Sequence, residues 1–277
     1  MNAILIVANK EFRDGLRNRW VLSITLVFAF LAIGLAYFGA SASGTVGFTS
    51  LATTIISLSS LAIFLIPLIA LLLAYDSIIG EDEQGTLLLL LTYPMRRSQL
   101  LLGKFMGHAG IMGASTVLGF GVSAVLIGIL TDEIFYLELW QAFGVFILTT
   151  TLLGWVFIAM AYVISSLASE KSRAAGISLI LWFWFVLIFD LILLGQLVLT
   201  KGASGNDWLA YLLLLNPTDV FRLANLASFE AARNYTGLAH MTASGSSFDS
   251  LMLTGVLVAW VIVPLLLALW LFNRRRI

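Results

Sequence analysis

The sequence predicts an all-α integral membrane protein with six transmembrane helices, on three grounds. The first is composition: 60% of the 277 residues are hydrophobic and only 11% are charged, with a mean hydropathy of +1.02. A chain of this length cannot bury that much apolar surface in its own core, so much of it faces lipid. The second is six apolar segments, at 20–38, 51–75, 105–130, 139–167, 174–199 and 251–272. Each is near or above the roughly 20 residues a helix needs to cross the hydrocarbon. The third is the uneven distribution of lysine and arginine, which also sets the orientation. Zero formal charge gives no indication of a nucleic-acid partner, and the lack of cysteine excludes disulfides and thiolate metal sites.

The chain reads as a single transmembrane domain over 1–277. Residues 1–19 place Ile4, Leu5, Val7, Ala8, Phe12 and Leu16 at helical spacing against Lys10, Glu11, Arg13, Asp14, Arg17 and Arg19. That pattern predicts an amphipathic helix lying on the membrane surface. Ala40-Ser41-Ala42 resembles a signal cleavage site, but 20–38 is longer than a signal h-region, and the segment is expected to remain as a span. Lipid offers the backbone no hydrogen bonds, so every span should be helical. Pro67 and Pro264 fall inside spans and are expected to kink them. Gly107, Gly110 and Gly113 open the third span and predict close helix approach.

Orientation follows from the positive-inside rule. With residues 1–19, 76–104, 168–173 and the C-terminus placed in the cytoplasm, twelve of the fifteen lysines and arginines lie inside. Lys201, Arg222 and Arg233 alone remain outside, and both termini are cytoplasmic.

The 76–104 segment is the long polar interruption of the first half. Glu81, Asp82 and Glu83 precede the leucine-rich stretch Thr86–Thr92, and Tyr93-Pro94 ends any helix there before Arg96, Arg97 and Lys104. Two short helices with a break between them could hand force from a soluble partner to the membrane. A plain solvated loop fits the periodicity too. Residues 200–250 form the one sizeable extracytoplasmic piece, containing the apolar stretch Trp208–Leu215. Asn216-Pro217-Thr218-Asp219 reads as a helix start, with helix expected to about Ala232.

The sequence carries no GxxxxGK[ST], HExxH or GxSxG motif, so ATP would have to be hydrolysed by another chain. Asp190 is the one charged residue deep in a span and should face the bundle interior, for function or for a structural hydrogen bond. His108 and Met112 share a helical face, and His240-Met241 lies in the outer segment. These are soft donors that suit copper, but isolated pairs of this kind also serve simply as packing.

Glu83-Gln84-Gly85-Thr86-Leu87, Thr92-Tyr93-Pro94-Met95-Arg96-Arg97 and Leu101-Leu102-Gly103-Lys104 recur in this order in the permeases of the ABC class 2 exporter family, which the chain resembles. In that family this segment carries the coupling helix that docks on a cytoplasmic ATPase. The resemblance therefore implies ATPase contacts at Glu81, Asp82, Glu83, Gly85, Thr86, Arg96 and Arg97. Asn9-Lys10-Glu11-Phe12, leading into Arg17-Asn18-Arg19, is similar to the family's interfacial elbow helix. Asn9 to Trp20, together with Leu215 to Arg222, resembles the branch whose permeases serve maturation of nitrous oxide reductase. That narrower resemblance implies a homodimer in the bacterial inner membrane. Two copies of an ABC ATPase would bind the ATP and magnesium, leaving this chain without a cofactor. It also implies a periplasmic β-helix protein, met through Trp208, Asn216, Asp219 and Arg222, and a role in assembling a copper site. An exporter of lipid, polysaccharide or drug, or a channel or scaffold that uses no nucleotide, are the other readings of the same chain.

Overall fold

The structure, a computed structural model, describes residues 3–17, 19–38, 51–130, 136–199, 208–227 and 249–275. Among these the chain is helical, with α1 (Ala3–Arg17), α2 (Trp20–Phe38), α3 (Leu51–Ala74), α4 (Ile79–Glu83), α5 (Thr86–Thr92), α6 (Arg97–Leu130) and α7 (Tyr136–Leu167) in its first part. The second part holds α8 (Lys171–Phe183), a π-helical turn (Trp184–Ile188), α9 (Phe189–Leu199), α10 (Trp208–Leu213), α11 (Pro217–Ala227) and α12 (Ser250–Arg274). Five of the described helices are long and apolar enough to cross a membrane, and the count reaches six if the bent pair formed by α1 and α2 is one span.

Several boundaries differ from the sequence expectation, each for a local reason. α6 starts at Arg97 rather than Phe105, because the Gln99 side chain accepts the Arg96 N–H at 2.9 Å and caps a polar first turn. α6 is 34 residues long, which at 1.5 Å per residue gives about 51 Å, so it projects well beyond the hydrocarbon. α7 starts at Tyr136 rather than at 139, so Glu138 lies inside it. The fifth apolar segment is interrupted by the π turn within its aromatic run. Pro67 and Pro264 lie within continuous helices. α11 ends at Ala227, and 228–232, where helix was also expected, lies outside the described residues.

The centre of the bundle is α6 and α7, packed on each other, with α1 and α2 against α6 and with α3 and α12 against α7. The crossing of α1 over α6 depends on two glycines one turn apart. A Cβ on Gly103 would stand 2.6 Å from the Val7 Cβ, and one on Gly107 would stand 3.0 Å from the Ala8 carbonyl oxygen. Without those side chains the two backbones meet directly. Gly110 faces the Phe12 ring, whereas a Cβ on Gly113 would make only ordinary contact with Thr151, at 3.7 Å. Close approach therefore uses Gly103 and Gly107, and Gly113 plays no part in it.

Candidate functional site

All the charged residues of the 76–104 segment gather at one end of the bundle, where α3, α7 and α12 finish and α6 and α8 begin. α4 is built from the bundle side. The Ser165 Oγ at the end of α7 accepts the N–H groups of Ile78 and Ile79, at 3.0 and 3.1 Å. It thereby satisfies donors that a helix start leaves open. Gly85 then adopts φ 71° between α4 and α5, the left-handed conformation that glycine enters without steric cost. Thr86 Oγ1 donates back to the Glu81 carbonyl at 3.1 Å. Tyr93, extended before Pro94, ends α5.

Ion pairs and a hydrogen bond hold this element to the ends of α6, α8 and α12. The ammonium of Lys104 binds the carboxylates of Glu81 and Glu11, the latter at 2.9 Å, with only 4% of its side chain exposed. Burial pushes the Glu11 carboxyl up, but Lys104 and Lys10 outweigh that and hold it below the ordinary carboxylate range. Asp82 Oδ2 accepts from Arg275 Nη2 at 2.7 Å. Arg275 also donates to the Ser165 and Ser166 carbonyls, at 3.0 and 3.2 Å, where α7 leaves acceptors open. Arg97 donates to the Arg275 carbonyl at 2.6 Å. Glu83 accepts the Lys171 N–H at 2.6 Å, and the Lys171 ammonium reaches Asp76 at 2.6 Å. With its charges mostly turned inward, the element presents an apolar outer face: Leu87 is buried, while Leu88, Leu89 and Tyr93 are 58%, 64% and 62% exposed.

A second polar cluster lies toward the other end of the fifth span. Arg222 of α11 donates to Asp190 at 3.0 Å and to Asp219 at 2.9 Å. Asn216 Nδ2 donates to Asp219 at 2.8 Å, and both Asn216 Nδ2 and Thr218 Oγ1 donate to the Phe185 carbonyl in the π turn, at 2.9 and 3.2 Å. A π turn shifts the helical hydrogen-bond register, and here Phe185 offers its carbonyl to the neighbouring helix. On the other side of α11, Asn225 donates to Thr149 of α7 at 3.0 Å. Burial, and then the Asp190 carboxylate, push Asp219 up to about 7 against the pull of Arg222 and Asn216.

A profile described as ABC-2 family transporter protein matches residues 5–277. The chain belongs to the ABC-2 transporter family. It is 53% identical over 275 residues to the probable ABC transporter permease protein NosY of Stutzerimonas stutzeri, covering 99% of each chain. It is 54% identical over 277 residues to the protein of the same name from Pseudomonas aeruginosa, covering all of both. It is thus a multi-pass permease subunit with the helical build that the sequence predicted.

Within this ABC-2 permease the expected site residues separate by environment. Glu83, Gly85 and Arg96 are exposed. Glu81, Asp82, Thr86 and Arg97 are instead tied back into the chain, so the outward groups that reasoning from charge missed are Leu88, Leu89 and Tyr93. Of the residues expected to meet an outer partner, Asn216 and Asp219 are buried in this chain. Their side chains are occupied by α11 itself and by the fifth span. Arg222 is partly exposed and already holds two carboxylates. α10 begins at Trp208. Asp190 faces Arg222, one of the three cations the sequence leaves outside the spans, and sequence separation alone would have pointed to Lys201 instead.

Two of the four metal candidates, His108 and Met112, lie among the described residues. His108 Nδ1 lies 2.8 Å from the Tyr162 hydroxyl and 3.4 Å from Ser77 Oγ. Met112 is buried, packed where Gly154 leaves room. No group of three or more His, Cys, Asp or Glu able to hold a metal occurs among the described residues. His240 and Met241 lie outside them.

Proposed function

We propose that this chain is the membrane subunit through which a separate cytoplasmic ATPase does work across the bacterial inner membrane. The observation that carries the reading is the α4–α5 element, anchored inward by ion pairs and exposing Leu88, Leu89 and Tyr93. Three large apolar side chains in water, rimmed by the exposed Glu83, Gln84 and Arg96, have the make-up of a protein-docking patch. The basic residues gathered at this end support a cytoplasmic location for it and for both termini. α1 then lies along the lipid headgroups as an elbow.

Two copies associate, since six spans are few to enclose a path, and each carries one ATPase of the NosF kind holding ATP and magnesium. The relatives are named NosY, and this favours service to nitrous oxide reductase over export of lipid, polysaccharide or drug. In that role the outer segment would meet a NosD-like periplasmic β-helix protein, and the ATP-driven work would support the enzyme's copper site.

Co-expression with the ATPase tests the reading. The pair should purify together, and reversal of Glu83 and Arg96 combined with Leu89→Glu should release the ATPase while the permease stays in the membrane. A complex that survives all three changes removes α4–α5 as the docking surface and leaves room for a channel or scaffold that uses no nucleotide.

A further inference from the structure

Along the chain, α5 is joined to α6 only by Tyr93 to Arg96, four residues that belong to neither helix. A push on α5 carried by that link alone would be partly absorbed by rotation of its backbone dihedrals. A second route runs through space. Lys104, in the second turn of α6, binds Glu81 of α4 and Glu11 of α1 with the same ammonium. The other Glu81 oxygen is buried without a hydrogen-bond partner, so Lys104 is what holds that carboxylate. Lysine suits this place because its compact charge carries three donors and can serve two elements at once. Sliding is blocked on either side of it by the glycine contacts at Gly103 and Gly107.

We infer that Lys104 is a positioning residue for energy coupling, a strut that locks α1, α4 and the start of α6 into one rigid unit. Displacement of the docking element by the ATPase then reaches α6 and α1 together. The inference rests on the docking reading above. Its physical basis is the shared, desolvated charge: without Lys104 the Glu11 and Glu81 carboxylates would face each other with little water, so the lysine keeps the three groups together.

The chain has no cysteine, so paired labels can be placed cleanly. Arg13 on α1 and Gln84 between α4 and α5 are both exposed. Spin labels at these positions, in labelled chain diluted with an excess of unlabelled chain so that one copy per complex carries them, should give one narrow distance distribution in the complex with its ATPase that a non-hydrolysable ATP analogue leaves unchanged. The triple variant K104M/E11Q/E81Q removes the charges together and keeps the bulk. It should retain the ATPase, at least double the width of the distribution, and make it shift with nucleotide. E81Q alone severs the α4 side while Glu11 still balances the lysine; it should broaden the distribution too, and it serves if the triple variant does not reach the membrane. Lys104→Arg, which keeps a cation between the carboxylates, should restore the narrow distribution. A triple variant or E81Q as narrow and nucleotide-independent as the parent overturns the strut, as does a parent distribution that itself shifts with nucleotide. Failure of the parent chain to hold the ATPase at all overturns the docking reading, a result read from purification rather than from the distance.

Discussion

Arg222 of α11 and Asp190 of α9 lie 3.0 Å apart, Nη2 to Oδ2, and join the fifth span to a helix packed against α3, α7 and α12. The same guanidinium also holds Asp219, so one cation serves two carboxylates. Arg222→Ala should therefore cost more than Asp190→Asn, because it leaves two partly buried carboxylates facing each other. Arg222 and Asp190 are about a third exposed while Asp219 is buried, and the loss should be about 1–3 kcal/mol. Thermal unfolding of the purified protein in detergent checks the order, and an Asp190→Asn loss equal to or above that of Arg222→Ala would contradict it.

Asp219 gives this cluster a pH dependence of definite sign. Its carboxyl is raised from an ordinary 3.8 to about 7 by burial and by Asp190, against Arg222 and Asn216. Between those values the folded chain holds a proton that the unfolded chain has released, so stability falls as pH rises from about 4 to about 7. Glu11 has the opposite sign, since its lowered carboxyl contributes stability that is fully present above 4.5 and is lost only in stronger acid. The melting temperature should accordingly drop between pH 5.5 and pH 8, and Asp219→Asn should flatten that drop. An unchanged slope in the variant would exclude Asp219 as its source.

The Ser165 hydroxyl accepts two N–H groups at the start of α4. Replacing it with alanine leaves both buried and unpaired, at a cost of about 1–2 kcal/mol. The effect should be local, appearing as faster hydrogen exchange over 77–92 with exchange in α7 unaltered. Unchanged protection across 77–92 would mean that another group caps α4.

Gly107→Leu should displace α1 from α6 at a cost of about 1–3 kcal/mol, because the added side chain has no space against Ala8 and Glu11. Gly113→Ala meets only Thr151, at 3.7 Å, and should be tolerated. Proteolysis between α1 and α2 reports the difference, and equal behaviour of the two variants would contradict the glycine crossing.

The helices and their order were legible because lipid imposes one rule on every span: apolar, long and internally hydrogen-bonded. The α4–α5 pair of short helices was legible from a different signal, the acid-then-base order about a leucine-rich stretch closed by Pro94. Which way its side chains point was not. Glu81 and Asp82 look like surface charges in sequence, yet they turn inward because Lys104 and Arg275, 23 and 193 residues away, bring cations to them. Leu88 and Leu89 look identical to Leu87 in sequence, and only the packing of α5 separates the outward pair from the buried one. Asn216 was read rightly as a helix start, since its Oδ1 accepts the Thr218 N–H at 3.1 Å. Its burial was hidden because the acceptor that draws it inward, the Phe185 carbonyl, is exposed by a π turn that no residue type announces.

The central claim is that the α4–α5 face receives the ATPase, and a photo-crosslinker tests it most directly. p-Benzoylphenylalanine at Leu89, which is 64% exposed on that face, is compared with the same group at Phe30, 76% exposed on α2. On illumination of membranes holding both subunits, Leu89 should form an adduct with the co-expressed ATPase, and Phe30 should form none. No adduct from Leu89 while the ATPase still purifies with the permease would contradict the account.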